Sequence, residues 1–509
     1  MKKMWLVMIA VGLSMTASGQ AMLEPRLQTS NGADTTGVLQ PSLTQQQSPL
    51  TPQPARYPKP HPWRAAAEVA GINVIVHCFD RFVLREDFAK TTLNSIRDNF
   101  QRGFVWDNDN FNTNLFAHPY HGNLYFNAAR TNGMNFWQSY PFALGGSLMW
   151  EFLGENTPPS INDLLATSIG GTAIGETTYR ISSIVLDDSK RGWSRVWREV
   201  VAGLVNPVRL VNRLMTGKAW LVRPTKHKYH DHDAIPLGFE ASAGMRYLAE
   251  KGSFEHGAYN PYVNLLFHYG DPLSDERKPY DFFNAEVTLG FSNRQPLVNA
   301  IHLIGQLWNT PVCTNEKLLM KFGFYQHFNF YNSEAIRAEK NIIPYRIGEA
   351  ASVGAGLVYR LQHLTRGVSL EQRLFVNGII LGGSLSDHYH VKERDYSLGS
   401  GFSAKLHSIV ELGNWGRLSL YADVYKLFTW KGFDEEAVSK MDNLDFVNAQ
   451  GDAGNNTLVV LNPRLQVNIT RQLLVDLYGS YFYRRSIYFD HDNVSMKTFE
   501  LRAGLTYEF

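Results

Sequence analysis

The second half of the chain alternates apolar and polar residues with the period of two that β-strands require. The pattern is clearest at the end of the chain, where one face would be apolar and the other polar. The two faces are Phe499, Leu501, Ala503, Leu505, Tyr507 and Phe509 against Glu500, Arg502, Gly504, Thr506 and Glu508. Similar segments predict strands at 237–248, 255–269, 281–292, 299–311, 317–331, 347–361, 367–384, 396–412, 416–430, 456–470, 472–487 and 497–509.

About twelve amphipathic strands predict a membrane all-β barrel of antiparallel strands, because bacterial single-chain barrels use even strand numbers. The connections after alternate strands are long and polar at one end, as at 332–346, 386–396 and 431–455, and short at the other. This is the asymmetry between extracellular loops and periplasmic turns. The segment 270–280 is longer than a periplasmic turn requires. The mixed charges predicted for the lumen include Glu240, Arg246, Glu286, Arg464 and Arg502.

Before the barrel, residues 63–225 change to helical spacing, which predicts an N-terminal α-helical domain. The best-defined helix runs from about Ser189 to Leu204 and carries one apolar stripe. The stripe consists of Trp193, Val196, Trp197, Val200, Val201 and Leu204. Two interpretations remain open: the stripe packs on its own domain, or Trp193 and Trp197 lie in a membrane surface with Arg195 and Arg198 near anionic headgroups.

The N-terminus predicts export. Lys2 and Lys3 precede a short apolar core and a small-residue cleavage region, so residues 1–19 resemble a signal peptide. Residues 20–62 are rich in Pro, Gln, Ser and Thr and predict a disordered tether. The predicted domains are therefore a helical domain at 63–225 and an outer-membrane barrel at 226–509. We expect the helical domain on the periplasmic side, below the barrel, because a lumen of this size is too narrow to hold it.

Composition narrows the functional classes. A net charge of +2 indicates no nucleic-acid partner. Cys78 and Cys313 are far apart in the sequence, which favours two unpaired, buried thiols. No stretch of 18 uninterrupted apolar residues is present, and the best candidate, Trp63 to Val83, contains several charges. We therefore expect no membrane-spanning helix.

The unusual polar residues of the helical domain lie between Trp106 and Glu176. They occur in the motifs His118-Pro119-Tyr120-His121-Gly122, Trp150-Glu151 with Gly154-Glu155, and Ser160-Ile161-Asn162-Asp163-Leu164. This stretch of about 100 residues resembles an uncharacterised family of outer-membrane proteins known only as a domain of unknown function. In that family a His-Pro-Tyr-His-Gly element precedes an acidic pair and a Ser-x-x-Asp-Leu element. The resemblance implies the location but no activity.

The residues themselves leave the chemistry open. Glu151 and Glu155 are four apart and would share a helix face, so something should compensate the two like charges. The candidates are Arg130, His118, His121, a shared proton or a divalent metal ion such as zinc. No other cofactor is predicted. A buried polar network is one interpretation, and a catalytic or metal site formed by the two His and two Glu is the other.

Four further residues are candidate binding residues: Arg130, Ser160, Asp163 and Glu176. For two of them a structural explanation suffices. Ser160 follows two prolines and would cap a helix starting at Ile161, and Asp163 would lie in its first turn, where the helix dipole favours an anion.

Two functional hypotheses follow. In the first, the protein is a non-catalytic envelope or transport protein whose helical domain plugs the barrel or engages envelope lipid or a periplasmic partner. In the second, it is a lipid-modifying or hydrolytic enzyme with a His/Glu site in the helical domain. The expected partners are outer-membrane lipid and, during biogenesis, the barrel-assembly machinery.

Overall fold

The computed structural model describes residues 59–106, 109–223, 237–275, 278–337, 340–365, 367–389, 394–434, 436, 439–440 and 451–509. The predicted signal peptide and nearly all of the predicted tether lie outside these residues, so both stay predictions. The domain boundary near 225 also falls outside them.

Twelve antiparallel strands close into a single barrel, in which β1 pairs with β12 through a register that joins Glu240 to Glu508. The fold class predicted from the period of two is confirmed. The strands are β1 Leu237–Ala249, β2 Gly257–Tyr269, β3 Phe283–Gly290, β4 Val298–Thr314, β5 Leu318–Asn332, β6 Arg346–Thr365, β7 Val368–Leu385, β8 Tyr396–Leu412, β9 Gly416–Thr429, β10 Gly454–Asn468, β11 Leu473–Tyr488 and β12 Val494–Glu508.

The two faces of the wall have opposite character. In β12, Glu500 and Arg502 are buried and point into the lumen, whereas Leu501 and Leu505 on the other face are exposed. Because neighbouring strand residues point to opposite sides, exposed apolar side chains mark the outward face. The five charges predicted for the lumen are all buried. A closed wall with an apolar exterior leaves no unpaired strand edge, which is what a hydrocarbon environment requires.

The connections confirm the predicted asymmetry, with one exception. At one end of the barrel, three turns are very short: 315–317, 366–367 and 413–415. The loops at the other end are longer. The segment between β2 and β3 stands out because it packs on the helical region described next: Tyr280 stacks on Phe136 with ring centroids 5.6 Å apart. Its unexpected length is therefore explained by a contact with another part of the chain.

Before the barrel, the chain forms short α-helices separated by π-helical turns. The α-helices are α1 Pro62–Cys78, α2 Leu93–Arg102, α3 His118–Thr131, α4 Phe136–Met149, α5 Ile161–Leu165, α6 Gly171–Val185, α7 Gly192–Val205 and α8 Pro207–Met215. The π-helical turns are Phe79–Leu84, Thr113–Ala117, Trp150–Gly154 and Ala166–Gly170. We call residues 62–215 the helical region. No helix among the described residues has the length and apolar character needed to cross a membrane.

The helical region lies beside the barrel wall, against the outward face of β3 to β8, which we call the covered arc. β5 shows which face is involved. Tyr331 points into the lumen, where its ring meets Phe482 of the opposite strand β11 at 5.5 Å. Phe328 and Phe330 have the opposite orientation, and both are fully buried, with Phe330 stacked on Phe111 of the helical region at 5.4 Å.

Two expectations differ from the structure. The helical region is beside the wall rather than below the barrel, because the sequence pattern marks the outward face as apolar without saying whether lipid or protein covers it. Both cysteines are free, as expected, but neither is buried: Cys313 is half-buried and Cys78 is exposed. Cys78 lies at the end of α1, whose buried face carries Ala65, Val69 and Asn73.

Candidate functional site

Six of the candidate residues lie where α3 meets the segment that follows α4: His118, His121, Glu151, Glu155, Ser160 and Asp163. α3 starts at His118 directly after a π-helical turn and carries His121 and Tyr125 in its next two turns. Gly122 of the same motif has a clear physical role: a Cβ atom there would lie 1.7 Å from the carbonyl oxygen of Thr167. Only glycine allows the two backbones to approach this closely.

The two histidines have different partners. The Nε2 atom of His118 lies 3.3 Å from Oδ1 of Asp163, and both side chains are buried. The Nε2 atom of His121 is 2.9 Å from the hydroxyl oxygen of Tyr125. The same hydroxyl donates a hydrogen bond to the side-chain oxygen of Asn73. Burial, together with the neighbouring His118, lowers the pKa of His121 to about 3. His121 is therefore neutral at physiological pH.

The two glutamates do not share a helix face, which corrects the sequence prediction. Glu151 lies in the π-helical turn that ends α4, and the chain becomes extended at Glu155. The buried carboxylate of Glu151 accepts a hydrogen bond of 2.7 Å from the backbone N–H of Ser160. The carboxylate of Glu155 accepts one of 2.7 Å from the indole of Trp150 and one of 3.0 Å from Thr157.

Ser160 and Asp163 take the structural roles predicted for them. Ser160 is the N-cap of α5, and its hydroxyl accepts a hydrogen bond of 3.3 Å from the backbone N–H of Asp163. The hydroxyl of Ser160 in turn donates to Asn162 at 2.9 Å, and Asn162 donates to Asp163 at 2.9 Å. This chain of hydrogen bonds orients the carboxylate that faces His118.

Arg130 does not compensate the Glu151 and Glu155 pair, which is a second correction. Its guanidinium forms a bidentate pair with Glu176 of α6, at 2.6 and 2.9 Å. Glu176 also accepts from Arg180 at 2.8 Å, and Arg180 pairs with Asp281 of the β2–β3 segment at 3.0 Å. We call these four residues the arginine relay; all four are buried. It links the helical region to the barrel through charged groups that were not connected by sequence analysis.

The membrane-surface role predicted for α7 stays a prediction, and its four residues differ in exposure. Trp193 is 78% exposed, but Arg195 is only 7% exposed and pairs with Asp188 at 2.9 Å and Glu199 at 2.8 Å. Trp197 is half-buried, with the guanidinium of Arg198 4.6 Å from its ring centre. The helix therefore does not display a basic face, and none of its stripe residues is fully buried. The exposed stripe differs from the interpretation in which it packs on its own domain, and the buried Arg195 differs from the interpretation with basic residues near headgroups.

A metal site is not evident in the described parts of the chain, where no group of three or more His, Cys, Asp and Glu side chains is arranged to hold an ion. Each of His118, His121, Glu151 and Glu155 has a partner within the protein. Such mutual pairing is typical of a structural polar network. The catalytic role of these four residues stays a prediction.

Comparison with known proteins agrees with the motif-based resemblance. Residues 103–208 match a domain of unknown function, DUF3943. The DUF3943 segment thus begins directly after α2 and ends in α8, and it contains all twelve candidate site residues. No curated protein matches the chain significantly.

Solved structures similar to this chain are outer-membrane proteins. The NanC porin is 11% identical with a TM-score of 0.24, over 53% of this chain and 99% of the porin. An outer-membrane channel from Pseudomonas putida F1 is 11% identical with a TM-score of 0.27, over 55% and 98%. The channel DcaP of Acinetobacter baumannii is 10% identical with a TM-score of 0.20, over 54% and 97%. Likeness at this level carries no conclusion about activity, so the barrel assignment rests on the strand pairing.

Proposed function

We propose that this protein is a non-catalytic outer-membrane protein whose barrel anchors the helical region in the envelope and is closed by its own side chains. The closed wall with an apolar exterior supports the membrane location. The observation that carries the closed state is the contact between Tyr331 and Phe482. Their strands, β5 and β11, are six positions apart in the barrel of twelve strands and therefore lie opposite each other. The two aromatic side chains together span the lumen.

A third aromatic ring strengthens this barrier. Tyr345 lies just before β6, at the end of the β5–β6 loop, and stacks on Phe482 with ring centroids 4.1 Å apart. Its hydroxyl donates to Glu500 at 3.0 Å and accepts from Arg246 at 2.9 Å. All these side chains are nearly or fully buried. A water-filled pore through this level would have to displace an aromatic cluster and leave buried charges without their partners, which is costly.

Charge pairs fill the lumen beyond the aromatic layer. Lys405 and Glu349 form an ion pair of 2.5 Å and both are inaccessible to solvent. Arg464 and Asp476 pair at 2.6 Å. Since these four lumen charges neutralise one another in pairs, this part of the interior is better suited to holding the wall together than to attracting an ion.

The hydrogen bonds of the His118 region favour this role over the alternative of a lipid-modifying or hydrolytic enzyme. The side chains that would supply acid and base chemistry are engaged with Tyr125, Ser160, Asp163 and Trp150. A general base must instead reach a substrate proton.

Conductance of the full chain in planar lipid bilayers tests the proposal. We expect no pore-sized current steps from the native protein, and steps from the triple variant Tyr331→Ala, Tyr345→Ala, Phe482→Ala, which removes the aromatic layer. A matched control, Leu418→Ala, changes an exposed residue on the outward face and should conduct no more than the native protein. Regular current steps from the native protein would overturn the closed state.

A further inference from the structure

We propose that the helical region is embedded in lipid, with the apolar faces of α1, α4, α7 and α8 in contact with the acyl chains beside the covered arc. This differs from the periplasmic position predicted from sequence. Three features of the structure support this placement. α7 and α8 bury charges and expose apolar residues, the outward wall continues directly into the helices, and the helical region reaches the end of the barrel with long loops.

The inverted faces are clearest in α7 and α8. α7 buries Arg195 and Glu199 and exposes Val196 and Val200 along with Trp193. α8 follows the same rule: the buried residues are Val208, Arg209, Asn212 and Arg213, and the exposed ones include Val211, Leu214 and Met215. In water, a helix of a globular protein places its apolar stripe inward and its charges outward. The reverse arrangement is stable where the surroundings are apolar.

The helices α1 and α4 extend the apolar surface. α1 buries Asn73 and exposes Val74 and Ile75. α4 contains no charged residue, and it buries Ser139 while exposing Trp137. Soluble proteins seldom expose large apolar patches without a partner. Two helices with inverted faces, together with two that expose large apolar side chains, therefore indicate that something apolar covers this side of the molecule.

The covering material is identified by continuity with the barrel wall. On the outward face of β5, Phe324 is 45% exposed, whereas Phe330 is 1% exposed because the helical region covers it. The two residues are six apart, so about 20 Å of strand separates the bare wall from the covered wall. Since the bare outward wall of a closed barrel faces acyl chains, the helices begin within the same lipid layer.

The contacts also extend along the wall. Near the middle of the wall, Arg180 pairs with Asp281, whose neighbours Tyr280 and Phe282 are hydrogen-bonded to Gln306 at the centre of β4. At the end with long loops, Asn114 donates a hydrogen bond of 2.6 Å to the hydroxyl of Tyr396. A region that lay in the periplasm would not reach the end with long loops. Helices are compatible with lipid because the backbone groups in the body of each helix are paired within it.

Spin-label accessibility in vesicles of phosphatidylethanolamine and phosphatidylglycerol tests this proposal. The full chain carrying Cys78→Ser and Cys313→Ser receives a single new cysteine at an exposed helix position, Val200→Cys or Ile75→Cys. Val376→Cys, on the bare part of β7 and 67% exposed, serves as the lipid control. Ser439→Cys, exposed in the loop after β9, serves as the water control.

We expect molecular oxygen to relax labels at 200 and 75 more strongly than a water-soluble nickel chelate, as at 376, with the opposite order at 439. Preference for the chelate at 200 and 75 would overturn the proposal in favour of an aqueous location. Weak relaxation by both reagents would overturn it in favour of a protein partner or a second copy. Heat-dependent migration in gels confirms that each variant has a folded barrel. Because conductance is measured separately, failure here leaves the closed-lumen proposal untouched.

Discussion

The barrel and the helical region follow the same rule of burial although they are built on different periods. In β12 the buried residues are Glu500 and Arg502, and in α7 they are Arg195 and Glu199. In both elements the residues on the opposite face are apolar and exposed. The strand, with a period of two, and the helix, with a period of 3.6, thus both keep their charges away from an apolar environment.

The two regions differ in what holds the charges together. In the barrel, lumen charges pair within a backbone ladder that closes on itself, as in the ion pair of 2.8 Å between Arg246 and Glu500. In the helical region, the charges themselves connect the elements, as Glu176 does between α3 and α6. We therefore expect the loss of one charge to affect the helical region more than the barrel.

The largest loss of folding stability is expected from Glu176→Gln, which removes the central carboxylate of the arginine relay. Arg130 and Arg180 would be left buried without this partner, and breaking a buried pair costs about 3 to 5 kcal/mol. Denaturant unfolding of the purified protein in detergent, followed by helical circular dichroism, measures the change. The control Asp87→Asn removes an exposed pair with Lys90 and should leave the unfolding midpoint unchanged. Equal stability of Glu176→Gln and the native protein would contradict this role of the relay.

A smaller effect is expected from Phe330→Ala, at the boundary between the two regions. Phe330 packs against Phe111 and Phe116, at 5.4 and 5.8 Å between ring centroids, so its truncation leaves a cavity. Truncating a buried Phe costs about 3 to 4 kcal/mol when its neighbours relax only partly. The helical transition in the same unfolding measurement should move to lower denaturant.

The matched control is Phe324→Ala, on the same strand and the same face but partly exposed. Since lipid can fill the space that its ring leaves, we expect its effect to be well below that of Phe330→Ala. Equal effects of the two variants would show that the helical region does not cover this wall in solution, and the comparison between bare and covered arcs would fail.

The barrel could be predicted from the sequence because its signal is local. Alternation at Phe499 to Phe509 gives the strand, its inward face and its place at the end of the chain without knowledge of any partner. The lumen charge of Arg246 follows from the same period. What alternation does not contain is the identity of the neighbour outside the wall, so Phe328 and Phe324 look alike in the sequence.

The helical region was predicted less well for a related reason. The stripe of α7 was identified, but the stripe gives the direction of the apolar face only when the surrounding solvent is known. The π-helical turn at Trp150–Gly154 also shifted Glu155 off the face of Glu151, and periodicity assumes regular helix. Long-range pairs such as Arg180 with Asp281, 101 residues apart, leave no local pattern.

The smallest effect is expected where one hydroxyl is removed from each region. Ser160→Ala deletes the N-cap of α5, which costs about 1 kcal/mol, and it also frees Asp163 from the chain of hydrogen bonds that holds it near His118. In the barrel, Ser242→Ala removes a contact of 2.7 Å with Thr506, but Thr506 keeps a hydrogen bond to Asp476. Ser160→Ala should therefore lower only the helical transition in denaturant, and Ser242→Ala should leave that transition unchanged. A shift of the helical transition by Ser242→Ala would mean that the two regions unfold as one unit, because stability would then be shared through the covered arc.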